Sequence, residues 1–345
     1  MKVVDAEFSP NGVPIARRHL SKLVLGAAGA FALRSHAHAM PISGPRCTVG
    51  SREVMLEAGR RRNLGLNSWP DGTMGLLRNG PLIDIYAANE AQISKVSHDL
   101  EGKEFFVRYG GRPIRDLKGQ FSYAAGGPVL RQGDGSICLM YHAEKNSGRP
   151  RQSFYSELGV ARSADEGSTF QDLGIVITPN AGEETAARVS EIGGGSLFAQ
   201  SGVTRAYFRD LGQDGKVNGL TFAQTLGPLG PGNWKKYFNG SCTEAGVGGR
   251  STGLGSSSIQ PLWLSIASCP AAELVAMAYC QRRLGRVGVY LCWSADGTSW
   301  SRPEPIETDI EEAYYPSLVG IGEDPSTLGG SFFVYYTVSS IGGFS

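Results

Sequence analysis

The sequence predicts an all-β fold, a five-bladed β-propeller of four-stranded antiparallel blades. Three observations predict it: a Gly-rich, charge-poor composition, a strand pair that recurs five times, and two polar hairpins of one pattern. Of 345 residues, 41% are hydrophobic, 19% are charged and 48 are glycine. Such a chain has apolar surface for a large core and glycine for many turns, which excludes a disordered or coiled-coil protein. Long amphipathic helical periodicity is scarce, and short β-rich runs between Gly, Asp, Asn and Ser turns take its place.

Five strand pairs set the organisation. Their second strands run from Leu82 to Glu90, Ile137 to Glu144, Thr204 to Asp210, Leu274 to Gln281 and Phe332 to Thr337. Each pair has about 60 residues at its disposal, enough for four strands and their loops. The chain stops shortly after the fifth second strand, so the last blade is either truncated or closed by residues 47–68 from the N-terminal side.

The first 39 residues read as an export signal outside the fold. Arg17-Arg18 precede an apolar run from Leu23 to Leu33, and Ala37-His38-Ala39 offers a small-x-small site for a signal peptidase. The run is too short to span a bilayer as a stable helix. These features resemble a twin-arginine signal, whose translocase exports folded proteins and is the expected partner during export. An ordinary secretory signal carrying an arginine pair is the alternative, and both place the mature chain in the periplasm or outside the cell. Residues 40–345 then form a single propeller domain, with no later stretch apolar enough for a membrane anchor.

The net charge is +1, and no Lys/Arg stripe interleaved with aromatics exists, which argues against nucleic acid as a partner. Without residues 1–39 only His98 and His142 remain, so neither a histidine metal cluster nor a Ser-His-Asp triad is expected, and no metal or cofactor is implied. Six cysteines include no Cys-x-x-Cys pair. Cys138, Cys280 and Cys292 lie in apolar runs as small hydrophobes, and a hairpin could bring Cys280 to Cys292.

The two hairpins are Ser163-Ala164-Asp165-Glu166-Gly167-Ser168-Thr169-Phe170 and the shorter Ser294-Ala295-Asp296-Gly297-Thr298-Ser299-Trp300. In each, Asp caps backbone N–H groups of the turn, Gly takes a positive φ, and the aromatic packs back beneath. They resemble the Asp-boxes of sialidases and related propellers. There they join the outer two strands of a blade on the face away from the active site, which makes Asp165 and Asp296 structural.

In a propeller the innermost strands start, and the second strands end, at one face of the central channel, so residues at those ends converge. Glycoside cleavage needs two carboxyl groups about the scissile bond, one protonated for the leaving oxygen and one that activates water or attacks the sugar. Glu144, Glu191, Asp210 and Glu244 stand at such ends, and Asp71 precedes the first inner strand. Glu191 is the leading general acid, because it opens an inner strand ahead of Gly193-Gly194-Gly195, which bring the backbone close to the axis. Arg250 or Arg209 can hold one acid ionised, Tyr123, Tyr155, Tyr315 and Trp69 can wall a sugar ring, and His142 borders the same pocket. The Gly-rich pieces lack the strand–GxGxxG–helix setting and are not nucleotide loops.

Tyr141-His142-Ala143-Glu144, the run from Phe154 to Ser163 and the first hairpin resemble exported bacterial propeller proteins related to glycoside hydrolases. The resemblance covers residues 70–340 and is similar in layout to the five-bladed arabinanase and β-xylosidase group. It implies three catalytic acids on the inner strands of the first three blades, with Asp71 as general base and Glu191 as general acid. The second blade departs from it: Tyr123-Ala124-Ala125-Gly126 offers no acid for the pKa-modulating role, and Glu144 is the substitute. The sialidase Phe/Tyr-Arg-Ile-Pro motif is missing. The expected function is therefore glycosidic-bond cleavage by paired carboxylates at the channel mouth, with carbohydrate as substrate. A non-catalytic carbohydrate-binding propeller and a sialidase-like enzyme are the alternatives. Replacing Arg17 and Arg18 with Lys should strand the folded precursor in the cytoplasm, as read by cell fractionation; an unchanged periplasmic yield would indicate the ordinary secretory route.

Overall fold

The computed structural model describes residues 1–7, 44–100, 104–117, 119–149, 151–185, 189–211, 217–254, 259–310 and 312–339. The arginine pair, the apolar run and the Ala-x-Ala site lie outside the described residues. Among the described residues one short α-helix, Ala58–Asn63, accompanies 21 strands.

The strands begin with β1 (Lys2–Glu7) and β2 (Arg46–Arg52) and then fall into successive antiparallel meanders. The first is β3 (Gly75–Asn79), β4 (Leu82–Ala88), β5 (Ile93–Asp99) and β6 (Phe105–Arg112). The second is β7 (Tyr123–Arg131), β8 (Ile137–Lys145), β9 (Phe154–Ser163) and β10 (Gln171–Ile177). The third is β11 (Val189–Gln200), β12 (Val203–Leu211), β13 (Val217–Thr225) and β14 (Lys235–Phe238), extended by β15 (Ser241–Ala245). The fourth is β16 (Trp263–Cys269), β17 (Leu274–Arg283), β18 (Arg286–Ser294) and β19 (Glu304–Glu307). In the fifth, β20 (Glu312–Gly320) pairs with β21 (Ser331–Ser339), which pairs with β1, and β1 with β2.

The expected second strands are β4, β8, β12, β17 and β21. Each carries one tyrosine buried at its centre: Tyr86, Tyr141, Tyr207, Tyr279 and Tyr335. A buried phenol needs a partner, and two of these find it in a neighbouring meander's hairpin. Tyr86 donates to the Glu166 carbonyl at 3.3 Å and Tyr207 to the Gly297 carbonyl at 3.0 Å. Asp165 accepts from the Thr169 amide at 2.9 Å, and Asp296 from the Thr298 and Ser299 amides at 2.6 and 2.7 Å. Both hairpins thus cap their own turns and clip onto the meander before them.

The first strands are stitched in sequence by serines. Ser196 accepts from the Ile266 amide at 3.2 Å, Ser265 from the Leu318 amide at 3.1 Å, and Ser317 from the Met74 amide at 3.1 Å. Across the middle, the Thr73 hydroxyl donates to the Leu264 carbonyl at 2.8 Å. Between β3 and β7 the backbones touch: a Cβ on Gly127 would lie 1.9 Å from the Thr73 oxygen, so only glycine fits there.

Two expectations need correction. Residues 1–39 do not all lie outside the fold, because Lys2–Glu7 form β1. Its contacts hold it there: Val4 and Ala6 enter the apolar cluster with Trp293 and Phe332, and Lys2 donates to the Ile306 carbonyl at 2.8 Å and faces Glu307 at 3.5 Å. Cys280 and Cys292 do not face each other. Cys280 lies opposite Val289 and Cys292 opposite Met277, and the two thiols enter different apolar clusters on opposite sheet faces. All six cysteines are free.

His98 joins the first meander to the fifth, sharing a hydrogen bond with the Tyr335 hydroxyl at 3.0 Å and stacking on Phe105. Burial lowers its pKa from 6.5 to about 4, against a smaller opposing effect of Asp99. The folded chain therefore keeps His98 neutral where the unfolded chain takes up a proton. Stability from this site should be complete above pH 6.5 and fall as pH drops towards 4, by at most roughly 3 kcal/mol. Urea unfolding across that range should show this slope in the native chain and a flatter one in His98→Gln.

Candidate active site at one end of the inner strands

Strand direction brings the starts of β3, β7 and β16 and the end of β8 together. They enclose a cavity of about 210 Å³. Asp71 is placed by the chain just before β3, where its amide donates to the Ala88 carbonyl at 3.0 Å. Buried Asn89 shapes the preceding loop, accepting from the Ser68 amide at 3.0 Å and donating to the Gly65 carbonyl at 3.1 Å.

The Asp71 carboxylate is held on both oxygens. Tyr123 donates to Oδ2 at 3.1 Å and Tyr315 to Oδ1 at 2.9 Å. Burial pushes the Asp71 pKa up, and the Tyr315 and Tyr123 hydrogen bonds pull against it; nearby Glu144 adds to the rise and His142 opposes it. Both phenols are raised in turn, first by burial and then by the Asp71 charge.

Tyr315 reaches Asp71 through a strained backbone. Its φ is 55°, within a bulge of β20 between Tyr314 and Ser317. The corresponding bulge of β11, between Gly193 and Ser196, puts Gly194 at φ 66°. Glycine adopts that conformation freely, whereas a side chain there costs on the order of 1–3 kcal/mol. The strain is tolerated at the residue that grips Asp71.

Across the cavity, β7 and β8 present their residues from one face of the hairpin. Tyr123 lies opposite Glu144 and Ala125 opposite His142, so alternation sends all four to the same side. His142 Nε2 is 3.2 Å from Glu144 Oε1, and His142 Nδ1 is buried without a hydrogen-bond partner among the described residues. The Trp263 ring meets His142 edge-on at 6.2 Å and Tyr315 at 5.0 Å. Trp263 was not anticipated, although it opens β16, and the rule that inner strands begin at the pocket face would have found it.

The structure thus brings together Asp71, Tyr123, His142, Glu144 and Tyr315. The other anticipated residues do not line the cavity. Glu191 is engaged by Arg209 at 2.5 Å. Asp210 is buried beside Lys236 and accepts from the Ser251 hydroxyl, while Lys236 donates to the Thr178 and Gly249 carbonyls at 2.5 and 2.8 Å. Burial lowers Lys236 to about 8 despite Asp210. This cluster holds polar groups inside the third meander. Glu244 is held by Arg250 at 2.9 Å, and Arg250 spreads over the Phe238 ring in solvent. Trp69 and Tyr155 are corrected as sugar walls: Trp69 packs among Leu66, Met74 and Ile83, and Tyr155 is buried with its hydroxyl donating to the Ala181 carbonyl at 3.1 Å.

No family model and no curated protein matches the chain. Among solved structures, a family 117 glycoside hydrolase of the marine bacterium Zobellia galactanivorans is similar at 14% identity over 69% of each chain, with a TM-score of 0.50. An exo-1,5-α-L-arabinanase from a bovine ruminal metagenomic library is 9% identical, over 78% of this chain and 96% of that one, with a TM-score of 0.48. An exo-β-1,3-galactanase of Phanerochaete chrysosporium is 11% identical, over 77% of this chain and 60% of that one, with a TM-score of 0.49. The first likeness shows a shared fold: the chain is all-β, with structural neighbours of the propeller type.

Asp71→Asn should leave the fold intact and raise its stability at pH 7. The amide is isosteric, keeps an acceptor for one tyrosine and offers a donor to the other, and removes a buried charge. Because Asp71 is raised in the fold, the native chain loses stability as pH climbs past the ordinary carboxyl value of 3.8. The variant's advantage should therefore grow from pH 4 to 7 in thermal melts, and a variant less stable than the native chain throughout would refute this.

Proposed function

We propose that this protein is an exported glycoside hydrolase-like enzyme on a five-bladed β-propeller, cleaving a glycosidic bond with Asp71 and Glu144. One observation carries the reading: a carboxylate held on both oxygens by tyrosines shares a cavity with a second carboxylate that is hydrogen-bonded to histidine. Tyr123 and Tyr315 orient the Asp71 carboxylate, which takes a proton from water as that water attacks the anomeric carbon. Glu144, 3.2 Å from His142, protonates the departing glycosidic oxygen. Glycoside cleavage uses one carboxyl group as the anion and the other as the proton donor, and the two tyrosines that hold both Asp71 oxygens favour its anionic form against burial.

Glu144 takes the acid role expected of Glu191, because the Glu191 carboxylate is engaged by the Arg209 guanidinium. Five meanders, each with a buried tyrosine on its second strand, and the contacts of the fifth with the first support the five-bladed reading. Export by the twin-arginine route rests on Arg17-Arg18, the apolar run and Ala37-His38-Ala39.

Purified protein should hydrolyse a member of a panel of aryl glycosides and polysaccharides. Asp71→Asn and Glu144→Gln should each lower kcat by about a hundredfold or more with unchanged circular dichroism. The Glu144 variant should be least impaired on substrates with good leaving groups. Saccharide binding without turnover by the native chain would favour a carbohydrate-binding protein.

A further inference from the structure

Resting on the reading above, we infer that the cavity admits a single, uncharged sugar ring at the end of a glycan, so that the chain acts from the terminus and not within the polymer. The cavity is closed at its base. Thr73, Gly126, Gly127, Met140 and Leu158 line it and are buried, while Asp71, Tyr123, His142, Glu144 and Trp263 at its rim are only half-buried. Beneath it the axis is sealed, since the Thr73 hydroxyl reaches the Leu264 carbonyl at 2.8 Å and the Gly127 and Thr73 backbones leave no room for a Cβ. A polymer cannot thread through, and a ring that enters must leave by the same mouth.

Size sets the number of rings. A cavity of roughly 150 Å³ accommodates one benzene molecule, so about 210 Å³ holds one sugar ring and leaves the next outside. The acids stand at the rim, where the bond between those two rings would lie. The base is apolar, with Met140 and Leu158 supplying side chains against which the C–H face of a ring can pack. Trp263 closes the side between His142 and Tyr315.

Charge sets the kind of ring. Among the described residues the lining contains Asp71 and Glu144 and neither Lys nor Arg. Arg209 is turned to Glu191, and Arg250 to Glu244. A uronic acid or a sulfated sugar would bring its anion against two carboxyl groups with no Lys or Arg among the described lining residues to receive it, and like charges so placed are strongly disfavoured.

The test uses the native chain with aryl glycosides of neutral sugars, the matching aryl uronides, and neutral oligosaccharides labelled at the reducing end. We expect kcat/KM to be about a hundredfold or more lower for the uronides, and monosaccharide to be the sole released product from the first time point. Internal fragments of mixed length at early times, or uronides cleaved as fast as neutral glycosides, would overturn the inference while leaving the glycosidase reading intact. If no glycoside is cleaved, titration calorimetry with the same sugars separates the two. Neutral monosaccharide binding that excludes uronates and is lost in Trp263→Ala would uphold the single-ring site and reject catalysis. Binding of oligosaccharides alone would reject the single-ring site.

Discussion

The contact on which the rest of the structure depends is the approach of the β3 and β7 backbones at Thr73 and Gly127, too close for any side chain. It draws the inner strands together at the axis and lets Thr73 reach Leu264 on the far side. Asp71 stands two residues before Thr73, so the same contact that seals the base fixes the height of the carboxylate above it. A side chain at Gly127 would open the axis and displace the acid at once. Serines at matching positions of β11, β16 and β20 continue this close packing from one inner strand to the next.

The site above that contact stores destabilising features and holds them with hydrogen bonds. Asp71 is partly desolvated, which disfavours its charge, and two phenols restore part of what water would have given. One of those phenols is itself delivered by a left-handed tyrosine. Residues held so against local preference mark functional positions in many folds. Here the strained backbone, the buried carboxylate and the half-exposed rim coincide in one cavity. By contrast, the buried Asp210–Lys236 cluster has its polar groups satisfied by the third meander and its neighbouring loops, and presents nothing to a ligand.

The second strands were legible because each is a short β-rich run with a central aromatic between turn residues, a pattern that burial within a stack of sheets requires. The two hairpins were legible for a similar reason: Asp at a fixed offset from Gly caps its own turn, and the information is local. Trp69 and Tyr155 misled because an aromatic near a strand start can fill the core as readily as wall a pocket. Trp69 sits among Leu66 and Ile83, and Tyr155 turns its hydroxyl to Ala181. Glu191 misled through its partner, since Arg209 lies on the adjacent strand at a register that the sequence does not display. The N-terminal strand was hidden by the arginine pair that follows it, which drew the whole segment into one reading as a leader.

By itself, then, the sequence determined where strands, turns and hairpin caps form, because these follow from periodicity and turn chemistry among near neighbours. It also determined which chain ends of those strands carry acids. Only the tertiary structure decided which acids meet. Tyr315 grips Asp71 from 244 positions away, and Thr73 meets Leu264 from 191. Such encounters depend on bulges, on the close approach of glycine backbones and on the packing of the last meander against the first. Those are properties of the assembled fold, where an ion pair one strand away can withdraw a carboxylate that its own neighbours in sequence would have offered to a substrate.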